Sequence, residues 1–199
     1  MHCNSRSKAA LAIVLSASLL ATGCSAQWIS VALADLPVLV QMSLNIGTLV
    51  TTLQSGQQLT SAEAAAIQNI SAEASKDLNL LQVLYNEYKA NPSNAVLQKI
   101  QNAIGDINQN LPTLLQAAHI GNAVLSARIG AAVNLILTTV ASFASLMPQT
   151  ATKPMGQKIA LKKAALPHPE DLKTAWNHQV CGPSAHGAFD SALSVCMVK

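Results

Sequence analysis

Apolar side chains recur every three or four positions through most of this chain. In residues 36–53, Leu39, Met42, Ile46, Leu49 and Leu53 form one stripe, and Gln41, Asn45, Thr48 and Thr52 form a second, uncharged polar one. That spacing predicts an amphipathic helix. Pro37 suits its first turn, with Asp35 a nearby cap, and Ser55-Gly56 ends it. Thr60-Ser61-Ala62-Glu63 has the form of a capping box, in which two side chains satisfy free N–H groups reciprocally. The helix it opens carries Ile67, Ile70, Ala74, Leu78, Leu81, Tyr85 and Tyr88 on one face, and Glu73, Lys76, Asn86 and Glu87 on others.

Asn91-Pro92-Ser93 marks a turn, and Ser93 can cap a third helix with the face Val96, Ile100, Ala103, Ile107, Leu111, Leu114 and Ala118. Pro112 lies inside that pattern and predicts a kink or a split near residues 108–110, because proline lacks the N–H the helix ladder needs. Gly121-Asn122 gives the next turn. The fourth helix extends to about Met147, before Pro148, is apolar or small nearly all round, and has Arg128 as its only charge. Such a helix is buried by neighbours or by lipid. About four long helices joined by short turns predict an all-α fold, an antiparallel helical bundle.

From Gln149 the pattern breaks. Pro154, Gly156, Pro167 and Pro169 interrupt the chain, and Lys153, Lys158, Lys162 and Lys163 bring charge with no acid among them. Pro169-Glu170-Asp171 then marks a helix start with acids in its first turn, running to about Gln179. Cys181-Gly182-Pro183 ends it, and Asp190 caps a last short helix through Cys196.

The chain opens with a basic start (Arg6, Lys8) and an uncharged apolar stretch over residues 9–21, shorter than the about 20 residues of a membrane span. Small residues follow, which together make a secretory signal. Leu20-Ala21-Thr22-Gly23-Cys24 resembles the lipobox of bacterial lipoproteins. The resemblance covers the leader alone. It implies that Cys24 becomes the lipidated first residue of the mature protein, an N-terminal lipid anchor in a membrane. Ser25 after it is compatible, by the same resemblance, with an outer membrane facing the periplasm. Ordinary cleavage after Ala26 is the competing expectation. The expected plan is a signal peptide over 1–23, a helical bundle over 24–148, a basic linker over 149–166 and a C-terminal tail over 167–199.

Composition adds two constraints. Twelve Lys and Arg against nine Asp and Glu give a formal net charge of +3, and two of the basic residues belong to the leader. With no basic stripe in the bundle, nucleic-acid binding is set aside. Of the four cysteines, Cys3 leaves with the leader and Cys24 takes the lipid, so Cys181 and Cys196 remain. A close pair in an exported chain is most simply a disulfide. Closing a loop of about 15 residues stabilises a tail by roughly 3 kcal/mol in the chain-entropy model.

Against the disulfide stands a metal site. His168, His178 and His186 lie near those sulfurs, and imidazole and thiolate ligands suit zinc or copper. The disulfide competes for both sulfurs and would leave any Cys–His catalytic pair inert. His119 ends the third helix, where the dipole favours it. A buried Arg128 needs a partner. Glu73, Asp77 or Asp106 could serve, but exposure to solvent near the helix start is the favoured expectation. The four lysines could touch anionic headgroups or simply form a solvated linker. No phosphate loop, nucleophile elbow or catalytically spaced carboxylate pair occurs. The expectation is therefore a non-enzymatic cell-envelope lipoprotein without a cofactor, with a structural role or one in binding envelope proteins. The alternatives are a membrane-active helical protein of pore or lysis type, and a metal-binding envelope protein.

Overall fold

Each long helix after the first opens where a short polar side chain takes up free N–H groups. The computed structural model describes residues 28–50, 59–147, 168–182 and 197–198, and among them the chain is all-α. The helices are α1 (Trp28–Val50), α2 (Ser61–Ala90), α3 (Asn94–Ala117), α4 (Ala123–Leu146) and α5 (Pro169–Gln179). At α2 the expected capping box is formed: Thr60 Oγ1 accepts from the Glu63 N–H at 3.2 Å, and Glu63 Oε2 accepts from the Thr60 N–H at 2.9 Å. Ser93 accepts from the Val96 N–H, and Asn122 Oδ1 accepts from the N–H groups of both Val124 and Leu125.

The first helix starts further back than its polar stripe indicates. Trp28 is already helical, so Asp35 is not a cap and Pro37 is not in a first turn. Burial of Trp28, Ile29 and Ala32 carries the inner face toward the N-terminus, and Pro37 sits on the exposed side. Packing outweighs the missing proline N–H there. The same holds at Pro112, where α3 runs on without a split. Asn108, Gln109 and Asn110 are exposed, so the carbonyl freed by the proline meets water, and Thr113 Oγ1 donates to the Gln109 carbonyl at 2.8 Å.

The helices run up and down. The Ser71 hydroxyl of α2 donates to the Ser43 carbonyl of α1 at 2.7 Å, and Trp28 meets Tyr85 edge-on at 5.5 Å, so α1 and α2 are antiparallel. Gly47 makes the crossing close: a Cβ there would stand 2.9 Å from Ser71 Oγ. Phe143 of α4 joins Tyr85 at 6.2 Å, while Gly121, before α4, bonds to Glu63 at the start of α2. The turn between α3 and α4 passes through His119, which holds a left-handed φ of 44°.

Most of the expected inner-face residues are buried, with Tyr88 and Leu114 half-buried, Asn45 of the polar stripe buried too, and Leu53 outside the described residues. Leu39, Met42 and Ile46 meet Ile67, Ile70, Leu78 and Leu81 in one core with Ile100, Ile107 and Leu111. Full burial of each such side chain is worth about 1.5–3 kcal/mol relative to exposure. In α4 the division is by size instead of polarity. Ile129, Val133, Ile136, Val140 and Phe143 are buried, while Ala123, Ala127, Asn134, Thr138, Ala141 and Ser145 face outward. A helix with mean hydropathy of 1.8 thus shows mainly small groups to solvent. α5 lies against α4 and plants Leu172 and Trp176 in the core.

Candidate functional site

The chemistry-bearing residues gather around α5. At its C-terminal end the guanidinium of Arg128, 7% exposed, donates through Nη1 to the Val180 carbonyl and through Nη2 to the Gly182 carbonyl at 2.8 Å. The last carbonyls of a helix lack internal partners and carry its negative dipole end, which suits a cation. Arg128 is therefore a buried clasp that holds the tail to α4. Solvent exposure, the favoured sequence expectation, is corrected, and carbonyls take the role foreseen for acids. Glu73, Asp77 and Asp106 lie together instead. Asp77 is pushed up by burial and by the charges of Glu73 and Asp106, partly offset by Lys76.

At the other end of α5, Asp171 Oδ2 accepts from the His168 backbone N–H at 3.1 Å, closing the first turn. Within electrostatic reach of this turn is Asp35 of α1, fully buried, with no hydrogen-bond partner among the described residues for either carboxyl oxygen. Burial pushes this carboxyl up to about 6. His168 pulls it back down, and Asp171 adds a smaller upward push. Nothing in the local sequence marks Asp35 as buried. The only available signal is its i+4 spacing to Leu39 on the inner face.

Of the histidines proposed as metal ligands, the two described ones are not brought together. His168 and His178 stand at opposite ends of α5, about 15 Å apart along the axis at 1.5 Å per residue. No group of three His, Cys, Asp or Glu suited to a metal occurs among the described residues. His178 lines a shallow open hollow of about 420 Å³ with Ala123, Val124, Ala127, Arg128, Gln179 and Gly182. A second hollow, about 310 Å³, lies between α2 and α3 at Asn69, Glu73, Asn110 and Thr113.

Cys181 is buried at the end of α5. Nearby, the Asn177 amide holds the far end of the tail: Nδ2 donates to the Val198 carbonyl at 3.1 Å, and Oδ1 accepts from the Val198 N–H at 3.0 Å. Cys24, Cys196, His186, Asp190 and the lysines 153, 158, 162 and 163 lie outside the described residues. His119 follows the α3 C-cap, Ala118, as expected of a helix end.

Four aromatic rings meet at the opposite end of the bundle. Trp28 packs on Tyr85 and, at 5.9 Å, on Tyr88, and Tyr85 packs on Phe143. The Tyr85 hydroxyl is buried without a hydrogen-bond partner among the described residues, and burial pushes its ionisation well above the usual tyrosine range. The chain matches no protein-family model, no curated protein and no solved structure.

Proposed function

We propose that this chain is a non-enzymatic, exported helical bundle, tethered to a bacterial envelope membrane by lipid on Cys24, with a structural or protein-binding role. The observation that carries the reading is the leader ending in Leu20-Ala21-Thr22-Gly23-Cys24. Packing supports it, because Leu36, Leu39, Met42 and Ile46 of α1 and Ile129, Val133, Ile136 and Phe143 of α4 are buried in the core. The intact mass of the mature protein from the membrane fraction tests it. A chain beginning at a lipid-modified Cys24 is expected, and Cys24→Ala should leave the protein soluble. A soluble wild-type chain beginning at Gln27 would overturn the tether.

The tail completes the reading with a disulfide between Cys181 and Cys196. Asn177 holds Val198 one helical turn from Cys181, and Cys196 is two residues from Val198. Two residues span at most about 7 Å, and that short tether between Cys196 and Val198 is what supports the pairing. The same mass measurement, with and without reductant, should show a gain of two protons.

A second reading is favoured by one observation. α1 and α4, at 23 and 24 residues, are both long and apolar enough to cross a bilayer, with half or less of each apolar window buried. A membrane-active protein would release dye from liposomes in proportion to its concentration. Absence of leakage at every concentration would remove this reading.

A further inference from the structure

We infer that Asp35 is a pH-sensitive release for α5: an ionised carboxyl loosens the helix from α1 and α4, and a protonated one seats it. α5 is held at three places. Arg128 grips its carbonyl end, Leu172 and Trp176 fill the core beneath its middle, and its first turn brings His168 and Asp171 within electrostatic reach of the buried, unpartnered Asp35. The first two holds are insensitive to pH near neutrality, since arginine stays charged and the others are apolar. The third is not.

A buried carboxyl without hydrogen bonds is tolerated far better neutral than charged. The groups acting on its charge are His168 and Asp171, both from α5, and they pull in opposite directions. Among the described residues of the other helices, most charges are engaged elsewhere. Glu73, Lys76 and Asp77 of α2 act on one another and with Asp106 of α3. Glu87 pairs with Lys99, Glu63 serves Thr60 and Gly121, and Arg128 of α4 is at the far end of α5. Ionised Asp35 therefore depends on α5 itself for relief, and water reaches it when α5 lifts.

The sign follows from the carboxyl's rise to about 6 from an ordinary 3.8. The docked state binds the proton more tightly than the undocked state. Docking is strongest below the ordinary carboxylate range, weakens as pH rises toward 6, and levels off above it. Between about pH 5 and pH 7 the fraction of time α5 spends open should rise about tenfold.

Hydrogen exchange on the mature full chain, followed by mass spectrometry and corrected for intrinsic rates, reads this directly. Protection of α5 amides should be lower than that of α2 at both pH values, and should fall about tenfold between them. Asp35→Asn, a neutral isostere, should hold α5 at its acid-side protection throughout, and His168→Gln should retain the fall. The proposal is overturned if Asp35→Asn shows the same fall, if wild type shows none, or if α5 and α2 are equally protected. The last result would mean that α5 leaves only when the whole bundle unfolds.

Discussion

Glu63 joins the start of α2 to the turn before α4. Its Oε1 accepts from the Gly121 N–H at 2.7 Å while Oε2 holds the Thr60 N–H and hydroxyl. The Thr60 side chain, the Gly121 N–H and the Thr60 N–H together hold this carboxyl below its usual range. Its stabilising effect is therefore fully present above the ordinary glutamate value and is lost as pH falls through the lowered one. Glu63→Ala should lower the melting temperature near pH 7. Circular dichroism melts should show the difference from wild type shrinking as pH falls through that lowered value, where the wild-type carboxyl is itself protonated. A difference that persists undiminished at acid pH would assign the effect to the methylene groups instead.

Arg128→Ala should destabilise the tail's attachment by about 3 kcal/mol, because two charge-assisted hydrogen bonds vanish and two carbonyls lose their partner. Arg128→Lys keeps the charge but not the fork, and should recover less than half of the loss in urea unfolding. Full recovery by lysine would mean that the charge alone matters.

Gly47→Ala brings a methyl group to 2.9 Å from Ser71 Oγ, which already donates to the Ser43 carbonyl. The expected loss is about 1 kcal/mol, a hydrogen bond disturbed against a gain in helix propensity. In a Ser71→Ala background the obstruction shrinks, and the same substitution should become neutral or stabilising. A double-mutant cycle measures that coupling, and strict additivity would show that the crossing relaxes without cost.

His119→Gly should stabilise the chain by up to about 1 kcal/mol, since a left-handed residue after a helix strongly favours glycine. Chemical denaturation of the two proteins side by side is sufficient. A lower midpoint for the glycine variant would mean that the imidazole makes a contact worth more than the strain.

The parts legible in the sequence were those written in local chemistry. Thr60 and Ser93 cap the helices they were expected to cap, Asn122, read only as part of a turn, caps α4, and Pro169 opens α5, because an N-cap acts within three residues of itself. Inner faces followed from spacing alone. The α1 start was obscured because Asp35 and Pro37 mimic a helix beginning, while the packing of Trp28 that overrides them is tertiary. Arg128 was recognised as needing a partner, but carbonyls at the end of a distant helix have no residue signature. Asp35 escaped for the same reason: the α5 turn that acts on its charge is more than 130 positions away in sequence.

The placement of the rings gives the molecule two optical reporters. The chain has only two tryptophans. Trp28 sits in the aromatic cluster at the α1 start, and Trp176 is buried where α5 meets the core. Replacing either by phenylalanine leaves a single indole whose emission follows one event, the seating of the first helix or of the last. The two docking steps can thus be timed separately in one chain without attaching a dye.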